Sequence, residues 1–336
     1  MDRKPNITYI SFDCTHLQSW DSSLLTYIFH LHRQATARGQ SMDLDSLPQG
    51  AAPLMRLTSA SSVTSSQASR TRLSLPAWLG RTTHNWLQGG MEFIDFLGLS
   101  VLSFARFLMG KSMFRIQDLL GQLFFCGAKA LPIVSLISLL VGLILAFVGA
   151  VQLKYFGAQI YVADLVGIAM TREMGAMMTG IIMAGRTGAA FAAQLGTMQV
   201  NEEVDALSTL GISPFEFLVL PRVLALVAMM PLLCLYADAV GILGGSIVGL
   251  GMLDLSLPLY WSQTMAAITL PYVWLGVVKS CFFGFIVALV GCLRGLQAGR
   301  SAQAVGQAAT SAVVTIIVGI IVMDGLFAVV CDVIGL

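Results

Sequence analysis

Beyond Ala130 the chain runs through five long apolar stretches, near 130–151, 160–195, 219–250, 266–293 and 308–334. Each exceeds the roughly 20 residues that carry an α-helix across about 30 Å of hydrocarbon. Within lipid, only helices and closed barrels satisfy every backbone group internally. Five such runs predict an all-α polytopic membrane protein. Composition agrees: of 336 residues only 11% are charged, against roughly 25% in soluble domains. A soluble two-domain enzyme, which length alone allows, is excluded. So is disorder, which needs low hydrophobicity. A net charge of +1 gives no basic footprint for nucleic acid.

The few charges are unevenly placed. Residues 1–129 hold twelve basic and eight acidic side chains; residues 130–336 hold seven and ten. All four histidines (His16, His30, His32, His84) fall in the first part. The apolar part has no imidazole for a metal site, which argues against a membrane metalloprotease, and the sequence calls for no cofactor. The six cysteines form no C-x-x-C pair and read as small apolar fillers.

The region ahead of the spans divides into residues 1–58, a Ser/Thr-rich linker at 59–76, and the start of a domain covering 77–336. Residues 7–12 read as a short strand. Asp21-Ser22-Ser23 can cap a helix whose Leu24, Leu25, Ile28 and Leu31 repeat at helical spacing through to Gly39. No signal peptide is evident, because no apolar core follows the charged first residues. From Pro76 to Met109, aromatics such as Trp86, Phe93, Phe96 and Phe104 alternate with Arg81, Glu92, Asp95 and Arg106. That mixture predicts an amphipathic helix on a membrane surface; an ordinary packed surface helix is the alternative.

Basic residues favour the cytoplasmic side. With the N-terminus inside, the inner loops are 1–129, about 196–218 and about 294–307, and the outer loops hold only Lys154 as a basic residue. An odd number of spans puts Leu336 outside. Gly241, Gly245 and Gly249, and then Gly291, Gly295 and Gly299, repeat at the G-x-x-x-G spacing that lets helices approach. That spacing serves internal packing or oligomerisation.

The inner loop after the second stretch carries Val200, Val204 and Leu207 on one helical face, with Glu202, Glu203 and Asp205 away from it. Gly211 and Pro214 stop the helix. An acidic helix gains nothing on a negative cytoplasmic leaflet, so it suits a protein partner with a basic groove; a merely solvated loop helix is the bland reading.

The blocks Thr171-Arg172-Glu173-Met174-Gly175, Ala184-Gly185-Arg186-Thr187-Gly188 and Glu203-Val204-Asp205-Ala206-Leu207, with Gln194-Leu195-Gly196, Gly211-Ile212 and Pro221-Arg222, closely resemble the MlaE (YrbE) family of lipid ABC-transporter permeases. The resemblance covers about residues 85–336, and Lys279 and Asp324 fall where family members carry such residues. It implies a homodimeric permease of the bacterial inner membrane, handling phospholipid at a site between the two permeases near the periplasmic side. It also implies a separate ABC ATPase docked on a coupling helix at 198–210, with Arg186 anchoring that region, and a periplasmic MCE-domain lipid carrier. Residues 7–58 resemble part of a STAS domain, without its leading strands, and a small STAS-domain protein is a possible further partner. Ser22 aligns with a serine phosphorylated in some STAS proteins; helix capping is the simpler role.

Ionisable groups inside a membrane are costly unless paired or wetted, and they mark function by default. Arg172, Glu173, Lys279 and Asp324 either pair across helices or face a lipid path. Gly110-Lys111-Ser112 does not form a Walker A loop, since Ala105 replaces the earlier glycine and no strand precedes it. The chain is therefore expected to be a transport subunit without ATPase activity of its own. The competing function is an ion-coupled secondary transporter using Glu173 and Asp324.

Overall fold

A computed structural model describes residues 9–14, 17, 21–37, 39–44, 46–48, 50–55, 75–110 and 115–335. The chain forms two units, residues 1–86 and 87–336. In the first, β1 (Tyr9–Ile10) pairs in parallel with β2 (Ser41–Met42). Between them runs α1 (Ser22–Ala37), and a helical turn, α2, covers 51–55. Ile28, Leu47, Ala51 and Met55 make a small core. The cap of α1 falls on Asp21, whose carboxylate accepts the Ser23 amide at 3.0 Å and the Ser23 hydroxyl. Those two bonds hold its pKa below the ordinary value. The helix stops where Gly39 turns left-handed (φ 71°) and Gln40 donates back to the Ala35 carbonyl at 2.9 Å. The expected strand shrinks to two described residues, and residues 59–74 of the expected linker lie outside the described ones.

Helix α3 (Leu75–Leu108) leads into the second unit. Met91, Ile94, Leu99, Val101 and Leu102 are exposed on it, while Phe96 is buried with its ring 4.5 Å from that of Phe215. The expected helix forms, with apolar side chains both exposed and packed on the core. Then come α4 (Ile116–Cys126), α5 (Leu131–Lys154), α6 (Gln159–Val200), α7 (Glu203–Thr209), α8 (Phe215–Met252), α9 (Leu257–Ala267), α10 (Leu270–Leu296) and α11 (Ala302–Ile334). Five candidate spans result among the described residues, α4 with α5 counting as one.

The core lies along α8, where Leu226, Met230, Leu233 and Ala237 are buried between α5, α6 and α10. Missing side chains make the contacts close. A Cβ on Gly142 would strike the Gly241 carbonyl, one on Gly244 the Leu139 carbonyl, and one on Gly276 the Thr171 carbonyl. The glycine repeats face inward: Gly241 meets Met170, Gly249 the Tyr260 ring, Gly291 the Gly188 backbone and Gly295 Ala192. They serve packing within the chain.

Several boundaries differ from expectation: the second span runs on to Val200, the third begins at Phe215 and the fifth at Ala302. Ala266 belongs to α9, not to the fourth span, because Ile268 and Thr269 are extended and Pro271 opens a new helix, a first-turn place that suits proline. The first span also starts earlier, through α4 and a short 3₁₀ turn over Ala128–Ala130.

Candidate functional site

Helix α6 is continuous over 42 residues. At 1.5 Å per residue that is roughly 60 Å, twice the hydrocarbon thickness of about 30 Å. Its backbone widens to π geometry at Met170–Met174 and again at Ala184–Gly188. The two charged blocks occupy these bulges, a feature frequent at functional sites.

Within the first bulge, Glu173 forms an ion pair with the Lys279 ammonium on α10. Lys279 also donates to Asp324 Oδ1 on α11 at 2.9 Å. Its side chain is 1% exposed, those of Glu173 and Asp324 31% and 14%. One buried cation thus joins three spans. Arg172 turns elsewhere, its guanidinium 5.4 Å from the centre of the Tyr272 ring. Beside this network is a cavity of about 280 Å³, walled by Ile168, Arg172, Glu173, Leu275, Lys279 and Asp332 among others. It combines apolar wall, cation and carboxylate. The contributing residues come from the Gln159 end of α6, the Leu270 end of α10 and the Ile334 end of α11.

The acidic loop lies at the opposite end. Helix α7 is seven residues long and shorter than the expected 198–210. Val200 ends α6 instead of joining the stripe, because Asn201 and a left-handed Glu202 (φ 59°) break the helix. Val204 and Leu207 pack into the core. The stop at Gly211 is as expected: its amide donates to Ser208 and that of Ile212 to Leu207, at 3.1 and 3.0 Å. Asp205 and Glu202 remain exposed and face Arg300, at 3.3 and 3.5 Å. Glu203 accepts from the Asn201 side chain at 3.1 Å. Arg186 reaches the Phe125 carbonyl at 3.2 Å and stacks on that ring, tying α6 to α4.

Asp238 and the Arg106–Glu216 pair escaped the sequence reading, and so did the burial of Arg222, named there only within a motif. Asp238, in the middle of α8, is 5% exposed. Its Oδ1 has no hydrogen-bond partner among the described residues and blocks the space a Cβ on Gly175 would need. An acid inside the 219–250 stretch was the available signal. Arg222 is buried, donates to the Leu218 carbonyl at 2.6 Å and stacks on Phe191. Arg106 pairs with Glu216 at 2.9 Å across 110 residues, which no local pattern announces.

The sequence profile described as "Permease MlaE" matches residues 119–330. A "Probable ABC transporter permease protein" of Rickettsia felis is 36% identical over 242 residues, 72% of this chain and 92% of the relative. The "Intermembrane phospholipid transport system permease protein MlaE" of Haemophilus influenzae is 30% identical over 238 residues, 67% of this chain and 91% of the relative. The Arabidopsis thaliana "Protein TRIGALACTOSYLDIACYLGLYCEROL 1, chloroplastic" is 33% identical over 219 residues, 65% and 62%. With five apolar spans, three charged π-bulges (two in α6 and one at Phe215–Val219 opening α8) and a short acidic helix in the matched region, the chain is a membrane-embedded ABC-transporter permease subunit and belongs to the MlaE permease family.

Proposed function

We propose that this subunit moves phospholipid, or a related lipid, between the bacterial inner membrane and a periplasmic MCE-type carrier, as one half of a homodimer driven by a separate ATPase. The observation that carries this reading is the cavity beside Arg172. Its apolar wall suits acyl carbon, and Arg172 suits a phosphate. It lies at the end of the bundle opposite α7, so the lipid path and the ATPase dock are separated along α6. This arrangement supports an N-terminus in the cytoplasm and a C-terminus in the periplasm. Residues 7–58 act as a STAS-like element ahead of the permease, supported by the parallel pairing of Tyr9–Ile10 with Ser41–Met42 on either side of α1 in the chain.

In this reading Glu202, Glu203 and Asp205 form the ATPase-coupling surface, Leu207 seats α7 on the core beneath them, and Arg186 steadies α6 behind it. Arg172 contacts the headgroup, while Glu173, Lys279 and Asp324 hold the three spans that enclose it. An ion-coupled mechanism through Glu173 and Asp324 has less support, because Lys279 holds both carboxylates. The test is copurification of the ATPase with a chain in which Glu202, Glu203 and Asp205 are changed to Lys. Loss of the ATPase is expected; survival of the assembly overturns the coupling assignment. Mass spectrometry of lipid retained by wild type and by Arg172→Gln tests the headgroup contact.

A further inference from the structure

A second cavity lies far from the Arg172 site, between α3, α8 and α10. Phe96 and Phe215 close one side with their rings 4.5 Å apart. Beyond them the helices part, leaving about 210 Å³ walled by Val101, Phe104, Phe215, Val223, Val227 and Phe285 among others. The wall is carbon nearly throughout. Ser100 and Ser103 also line it, and the Ser100 hydroxyl is turned to the Phe96 carbonyl, to which it donates at 2.8 Å. Water in such a space lacks the two to four polar partners it needs, and apolar cavities take apolar guests. A transmembrane helix about 10 Å across is too wide to enter. The remaining occupant of matching chemistry is a single hydrocarbon chain.

The rim supplies a head-group contact. Glu216, next to Phe215, holds Arg106 through one N–H···O bond at 2.9 Å. The Arg106 side chain stays 63% exposed against 11% for Glu216. A guanidinium carries five donors in a fork that matches phosphate. With one arm held by Glu216, the others open to the surroundings.

We propose that this groove is a binding site for one acyl chain of a phospholipid, its phosphate held by Arg106, in the leaflet at the α7 end of the bundle. The lipid is a resident one. It fills the joint between the surface helix and α8, and the site does not depend on what the Arg172 cavity carries.

The test uses the full-length chain reconstituted in vesicles containing phosphatidylethanolamine with a photoreactive acyl chain. After illumination, labelled peptides are mapped by mass spectrometry. Label is expected within 100–104 and 219–227. Val101→Trp, a change at an exposed position that fills the groove, should abolish it. Arg106→Gln should lower it about tenfold, the loss of one bond to a charged group. A photoreactive fatty acid should label wild type and Arg106→Gln alike. Undiminished phospholipid labelling in Val101→Trp overturns the site, and undiminished labelling in Arg106→Gln overturns the phosphate contact. A photoreactive residue at position 101 that captures a protein in place of lipid, in cells, overturns the choice of occupant. Arg172→Gln should leave this label unchanged, separating a failure here from a failure of the transport reading.

Discussion

Lys279 on α10 holds Asp324 on α11 at 2.9 Å while its side chain is almost wholly buried. The same ammonium pairs with Glu173 on α6, so its charge is shared by two carboxylates from different helices. Removing one partner of a buried pair costs about 3–5 kcal/mol, because the other charge is left uncompensated. Lys279→Met should therefore lower the melting temperature of the purified protein sharply. Asp324→Asn should cost less, since Glu173 still holds the lysine. The triple change of Lys279→Met, Glu173→Gln and Asp324→Asn should recover most of the loss. A melting curve for Lys279→Met matching wild type would remove the network from the account of what joins these spans.

The glycine contacts give a sharper contrast. Gly142 faces the Gly241 carbonyl with no room for a Cβ, whereas Gly185 has nothing among the described residues within 4 Å of that position. Gly142→Ala must push α5 away from α8, a backbone shift of the kind that costs about 1–3 kcal/mol. Gly185→Ala should be neutral or slightly stabilising, because alanine is the better helix former. Thermal melting of the two variants in one detergent decides the matter; equal effects would mean that the close contact is not limiting.

The spans, the surface helix and the stop at Gly211 were legible because each rests on local chemistry: an apolar run, an amphipathic mixture, a residue that tolerates positive φ. The four intramembrane charges could be picked out for the same reason, standing alone in apolar surroundings. Their pairing could not be, since Lys279 lies 106 residues from Glu173 and 45 from Asp324, and pairing depends on how three helices pack. Nor could the π-bulges, which need one extra residue accommodated per turn and carry no signature of their own. The extent of α7 was misjudged because Val200 fits an amphipathic stripe by spacing alone, while Glu202 in the left-handed region ends that stripe.

Asp238 tests what a lone buried acid does. Among the described residues its Oδ1 makes no hydrogen bond, and its other oxygen has only the Cys234 thiol, at 3.9 Å. Asp238→Asn keeps the shape against Gly175 and forfeits no strong bond. It should melt within about 1 kcal/mol of wild type, the range of a shape-conserving change, and should still support transport. Asp238→Leu, with a branch directed at the Gly175 backbone, should destabilise by about 1–3 kcal/mol through overpacking. An Asn variant that melts normally but no longer transports would show that the carboxyl itself takes part in the transport cycle.

Arg300 offers a way to separate stability from coupling. It faces Asp205 at 3.3 Å and Glu202 at 3.5 Å, with all three side chains at least half exposed. Exposed pairs contribute about 0–1 kcal/mol, so Arg300→Ala should leave the melting temperature nearly unchanged. Its effect should appear at the dock. Without the arginine, α7 presents Glu202, Glu203 and Asp205 with their charge uncompensated, and a basic groove on the ATPase should be attracted more strongly. The variant should bind the ATPase several-fold tighter at low ionic strength. The difference should vanish near 1 M salt, where the screening length falls to about 3 Å. Weaker binding in Arg300→Ala at every salt concentration would assign Arg300 itself to the contact, and would reverse the electrostatic reading of this helix.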